Sequence, residues 1–169
     1  MTKKSLPLWR NLSLCMLIGW LGVYASLLST LSDRLAAQFS LASTDAGLFI
    51  SAHALGMLVS VLLSGSLADS IGKRRIVLFS CALMVAGLLA TYFSTSLIAV
   101  LAGLFFTGMG FSPSEAISSA LLTDENPQQA TRWMNWSQVC FGLGAVLSPL
   151  AVVGYLTGGR PYGGLLLIC

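Results

Sequence analysis

One carboxylate stands where carboxylates are costly. Glu115 lies inside a long apolar run, and an acid there can hold a hydroxylated or cationic group, or take up and release a proton away from bulk water. Helical spacing puts Gly108, Ser112, Glu115 and Ser119 on one face of that run. Pro113, in the same run, interrupts the backbone ladder and can turn a carbonyl toward a cavity. The next run carries Asn135, Gln138 and Gly142 as a second stripe. An earlier run carries the only histidine, His53, with Gly56, Ser60 and Ser64 on about the same side. Trp20 and Tyr24, one turn apart, offer rings that could stack on a ligand. This is a binding chemistry of hydrogen bonds and stacking. The sequence has no nucleophile–base constellation, phosphate loop or metal-ligand cluster, so no enzyme, catalytic residue, metal or cofactor is expected.

Each residue also has a plainer reading. Glu115 can be a carboxylate paired to serines or Gln138, and His53 an interhelical hydrogen-bonder. Trp20 and Tyr24 can be lipid-facing bulk. Cys15, Cys81, Cys140 and Cys169 lie in apolar runs without paired spacing and read as buried thiols, not as disulfides or a metal site. Trp9, Trp133 and Trp136 fall near the ends of runs, where indoles anchor helices at a membrane interface. The glycines read mainly as close-packing positions.

The elements that position these groups follow from hydropathy. Hydrophobic residues make up 56% of the 169 residues and charged ones only 9%, whereas a soluble domain has about a quarter charged. The surface must therefore face mostly lipid, and the lipid bilayer is the first expected partner. Apolar runs at about 12–31, 46–67, 76–93, 97–122 and 134–156 each suit one crossing, which takes roughly 20 residues. Residues 1–11 form a leader on one side. A sixth run within 162–169 ends after a few apolar residues, too few to cross, so the natural product is expected to continue beyond Cys169. The first run is longer than a signal-peptide core and no cleavage pattern precedes a soluble domain, so it reads as an uncleaved first helix. Alternating crossings place Lys3, Lys4, Arg10, Lys73, Arg74, Arg75 and Arg132 on one side and only Arg34 and Arg160 on the other. That bias puts the N-terminus in the cytoplasm, which in a bacterium means an inner-membrane protein. No basic stripe interleaved with aromatics points to nucleic acid.

The turn between the second and third runs reads Gly65-Ser-Leu-Ala-Asp69-Ser-Ile-Gly72-Lys73-Arg74-Arg75. It resembles the signature loop of the major facilitator superfamily, departing at Ser70, where that loop has a cation. The resemblance implies an all-α membrane fold: the N-terminal six-helix bundle of a twelve-helix transporter, built as two inverted three-helix repeats, with the sixth helix incomplete here. No such repeat is legible in the sequence. It further implies a loop that latches onto the missing C-terminal half in one state of an alternating-access cycle, with Gly65, Asp69, Gly72, Lys73, Arg74 and Arg75 as its parts. Gly65 would admit a close helix and Gly72 would take a positive φ.

The pattern Gly108-Met-Gly110…Glu115…Asn135…Gln138…Phe141-Gly142-x-Gly144-Ala145 is similar to the fucose-permease-like, sugar-transporting branches. That implies a small solute, a sugar or related polar metabolite, moved with protons as the candidate coupling ion. Glu115, Asn135 and Gln138 would then line the pathway, with His53 and Tyr24 as further candidates. Two departures weigh against proton coupling: the first run has no mid-membrane acid, and Leu104 stands where a cation is common. The rival readings are a proton-antiport exporter of drugs or metabolites in the same superfamily and a truncated, non-transporting membrane partner.

Overall fold

A computed structural model describes residues 8–157. Every regular element among them is helical: α1 (Leu8–Gln38), a 3-10 turn (Ser43–Ala46), α2 (Gly47–Ile71), α3 (Lys73–Phe93), α4 (Leu97–Glu125), a second 3-10 turn (Pro127–Gln129) and α5 (Ala130–Thr157). The fold is all-α, as expected. The sixth apolar run, with Arg160 and Cys169, and the first lysines lie outside the described residues.

The helices outrun the apolar runs that announced them. Asp33 and Arg34 sit on α1, not in a connection, and Gly65–Ser70 of the signature loop continues α2. An α-helix satisfies its own backbone, so polar residues at its ends stay helical beyond the hydrocarbon until a specific signal stops them. Between α2 and α3 that signal is one residue. Gly72 adopts φ +98°, a conformation costly for any side chain, and its N–H donates to the Ala68 carbonyl at 3.0 Å. Ser96 starts α4, its Oγ accepting from the Ala99 N–H at 3.2 Å. Four helical stretches, Leu8–Gln38, Thr44–Ile71, Lys73–Phe93 and Leu97–Glu125, are long and apolar enough to cross a membrane.

Helix α4 is the hub. It packs against α3 and α2 and touches α1, while α5 packs chiefly on α1. Glycines let the backbones approach. A Cβ on Gly108 would run into the His53 carbonyl, and one on Gly56 into the Phe105 carbonyl, which sets the α2–α4 crossing. A Cβ on Gly22 would run into the Phe141 carbonyl, and one on Gly144 into the Gly19 carbonyl, which sets the α1–α5 crossing. The two crossings are the same contact made twice. Gly22 corresponds to Gly108, Gly19 to Phe105, His53 to Phe141 and Gly56 to Gly144, so one shift lays α1 on α4 and another lays α2 on α5. Two of the four corresponding pairs are not both glycine, which is why no repeat shows in the sequence. Gly65 differs from these: nothing in the described bundle comes within 4 Å of a Cβ there, so the close helix expected at Gly65 is not one of these five.

The main apolar cluster fills the space between α1, α2, α3 and α4 with Tyr24, Phe49, Met84, Leu104 and Phe111 among its members. Of the three described cysteines, only Cys15 is fully buried. Cys81 and Cys140 are half-buried on partly open faces, a correction to the reading of all as buried thiols.

Candidate functional site

Tyr24, His53 and Phe111 meet where α1, α2 and α4 converge. Their ring centroids lie 5.5 Å apart for Tyr24–His53, 5.7 Å for Tyr24–Phe111 and 5.5 Å for His53–Phe111, within range for tilted and edge-on aromatic contact. All three are buried, at 1%, 6% and 4% relative exposure. The glycine crossing explains the convergence: Gly108 brings the backbone at His53 against α4, and Phe111 follows one helical step on. His53 Nε2 is buried and accepts or donates no hydrogen bond among the described residues. The histidine is therefore a ring packed among rings. The interhelical hydrogen bond considered for it is not made by Nε2 among the described residues.

Glu115 follows Phe111 by one turn of α4 and so lies on the same face of that helix. It is half-buried, and no hydrogen bond or ion pair to it is present among the described residues. Its expected neighbours on the helix divide. Gly108 faces α2 across the crossing, and Ser112 and Ser119 are buried. The pairing of Glu115 to serines or Gln138 is thus not seen. Pro113 is buried within a helix that continues past it, and its missing N–H deprives the Met109 carbonyl of its helical donor.

Asn135 and Gln138 are exposed on α5, away from its buried contacts with α1. Asn135 lines a surface recess with Thr131, Arg132, Trp136 and Val139. No hydrogen bond joins either amide to Glu115 among the described residues. Of the signature-loop residues, Gly65, Asp69, Arg74 and Arg75 are exposed, and Asp69 has no ion pair among the described residues. Lys73 does have one: its ammonium bonds the Asp124 carboxylate at the end of α4.

A polar cluster at this same end escaped the sequence reading. Asn11 and Asn126 form a reciprocal amide pair, Nδ2 of each donating to Oδ1 of the other at 3.2 and 3.1 Å, and Asn126 also donates to the Leu122 carbonyl at 2.9 Å. Arg10 faces Glu125 at 3.9 Å. Start of α1, start of α3 and end of α4 are tied together here. The one available signal was Asn126 ahead of Pro127, a helix-ending dipeptide; its partner lies 115 residues away in sequence.

Comparison with known proteins decides the family. The family model of the Major Facilitator Superfamily matches residues 12–168. The chain belongs to that superfamily. Among its relatives in the superfamily is an uncharacterized MFS-type transporter, YwfA, of Bacillus subtilis, 30% identical over 96% of this chain and 38% of the relative. Another is the 4-hydroxybenzoate transporter PcaK of Pseudomonas aeruginosa, 29% identical over 80% of this chain and 31% of the relative. The probable plastidic glucose transporter 3 of Arabidopsis thaliana is 32% identical over 74% of this chain and 25% of the relative. The chain thus spans well under half the length of these superfamily members. No solved structure gives a significant match. Membership and the four apolar helices make this an integral membrane protein of the superfamily.

Proposed function

We propose that this chain supplies one helical bundle of a secondary active transporter, which moves a small polar solute by alternating access between this bundle and a second one. The observation that carries the reading is Glu115. Placing a charged side chain at the centre of a spanning helix costs about 2.5–3.5 kcal/mol on insertion scales, and such residues face cavities or partners. Here the acid is half-buried on the hub helix with no protein partner among the described residues, beside a closed aromatic cluster. Its partner is then water, a proton, the solute or the opposing bundle.

The solute class follows from chemistry. A carboxylate on α4 and the exposed amides Asn135 and Gln138 on α5 suit hydroxyl-bearing solutes, and the helix-4 and helix-5 pattern supports a sugar or related metabolite. Similarity to transporters named for 4-hydroxybenzoate and glucose supports small hydroxylated organic solutes more broadly. Protons are the proposed coupling ion with Glu115 as carrier, and the cation-rich end is placed in the cytoplasm by the positive-inside bias.

The test is uptake in inverted and right-side-out vesicles carrying the full-length product, with and without a pH gradient. Glu115→Gln keeps size and hydrogen-bonding capacity but cannot carry a proton. Gradient-driven accumulation is expected to fall to background, with solute exchange at equal pH retained. Undiminished accumulation by the variant removes Glu115 from the mechanism. Protection of cells against toxic hydrophobic cations, without sugar uptake, would favour the exporter reading instead.

A further inference from the structure

The glycine crossings that relate α1 to α4 and α2 to α5 carry the correspondence beyond the glycines. The shift that lays Gly22 on Gly108 lays Ser26 on Ser112, Ser29 on Glu115 and Asp33 on Ser119. Helical spacing puts Gly22, Ser26, Ser29 and Asp33 on one face of α1, as it puts Gly108, Ser112, Glu115 and Ser119 on one face of α4. Each stripe starts at a close crossing and is bordered by a described helix, α5 for α1 and α2 for α4. On α5, Ser148 lies one turn past Gly144, the residue packed on the Gly19 carbonyl. Ser148 is 2% exposed, and its hydroxyl has no hydrogen bond among the described residues. The matching residue of α2 is Ser60, also buried.

The two seams run to opposite ends. Helices α2 and α4 finish at the cation-rich end, whereas α1 and α5 start there and run away from it. Each seam holds one carboxylate, Glu115 in one and Asp33 in the other, a helical turn apart in register. Neither takes part in an ion pair among the described residues. Arg34 follows Asp33 about 100° around α1, off the stripe. An acid repeated on equivalent helix faces is not explained by close packing, which small neutral residues serve as well. We propose that Ser26, Ser29 and Asp33 line a water-filled vestibule at the end opposite the cations, the outer half of the route whose inner half runs past Glu115. This rests on the transporter reading above and adds a selectivity to it. The fixed charge of the vestibule is negative, so neutral hydroxylated or cationic solutes enter more readily than carboxylates.

The experiment is thiol modification of the Ser29→Cys variant of the full-length product in right-side-out vesicles. A cationic and an anionic membrane-impermeant thiosulfonate are compared, and modification is read by peptide mass. No transported solute is needed, so a failure here is distinct from a failure of the Glu115→Gln uptake test. The introduced thiol is expected to react from the outer side, faster with the cationic reagent. Asp33→Asn added to Ser29→Cys should lower that cationic preference about five-fold, the equivalent of ~1 kcal/mol. Leu28→Cys, at a buried position on another face of α1, should stay unmodified. No reaction at Ser29→Cys, the result expected where another helix covers the seam, overturns the vestibule. So does a cationic preference that is absent or that Asp33→Asn leaves unchanged, or equal reaction at Leu28→Cys in folded protein.

Discussion

The amides of Asn11 and Asn126 show how much a single buried pair can decide. Removing Asn126 would leave the Asn11 amide without this partner, removing Asn11 would leave the Asn126 Oδ1 unsatisfied, and both lie where the ends of α1 and α4 must meet. Asn11→Ala is expected to destabilise the bundle by ~1–3 kcal/mol, the usual cost of leaving a buried amide without its partner. The coupling between the two residues, from the double variant, should be near the ~0.6–1.7 kcal/mol measured for hydrogen bonds between spanning helices. Unfolding in mixed micelles checks both, and additive single effects would show that the pair is not coupled. His53 makes the opposite prediction. Its Nε2 has no hydrogen bond in the described structure, and its ring contacts are with Tyr24 and Phe111. His53→Phe keeps the ring contacts and removes the unsatisfied nitrogen, so the fold should be unchanged or slightly more stable in the same measurement. A large loss of stability would mean that the nitrogen has a structural partner.

Between helices, stability is set by where glycine is obligatory and where it is only permitted. At Gly56 and Gly22 a methyl group would collide with a facing backbone carbonyl, which cannot rotate away. Gly56→Ala or Gly22→Ala should therefore part the helices and cost ~1–3 kcal/mol or more, as overpacking does. Gly142 and Gly65 have open space, and Ala there should be neutral or stabilising by up to ~1 kcal/mol through helix propensity. Thermal stability of the four variants separates the classes. Gly65→Ala adds a sharper test: if the signature loop docks on a second bundle, as its resemblance to the superfamily's loop implies, this variant keeps its fold and loses transport. The α1–α5 crossing can be checked chemically. Cys15 and Cys140 belong to one packed cluster, and Gly19 lets the Cys140 backbone approach α1 closely. A mild oxidant such as copper phenanthroline should join them, read as the loss of both thiol hydrogens by mass, with no cross-link in a Gly144→Leu variant.

At the scale of the whole molecule, the bundle has one hub and two open sides. Helix α4 is packed on three faces, while α2 and α5 present long rows of exposed leucine and valine. In water these rows would aggregate; in a bilayer they face lipid or a second bundle. The cation-rich end is closed by the Asn11–Asn126 pair and by the Arg10–Glu125 and Lys73–Asp124 ion pairs, which link α1, α3 and α4. Lys73 thereby serves its own bundle, and of the signature loop Asp69, Arg74 and Arg75 are left for outside partners. Such ties favour movement of the bundle as one body, which rocking about a fixed site requires.

Composition, run length and one motif already determined class and family, because they follow from properties each residue carries alone: its transfer from water to lipid, its freedom in φ, its charge. The positive φ at Gly72 and the placement of Glu115 inside a spanning helix belong to that group. The partners of each residue were not legible. Asn11 finds Asn126 across almost the whole described chain, Tyr24 finds His53 and Phe111 from three separate helices, and Lys73 finds Asp124 rather than an outside acid. The repeated glycine crossing was hidden too, since backbone contact, not residue identity, is what repeats. Helices make their own hydrogen bonds and are written locally; which faces meet depends on shape across distant segments, and only the packed bundle decides it.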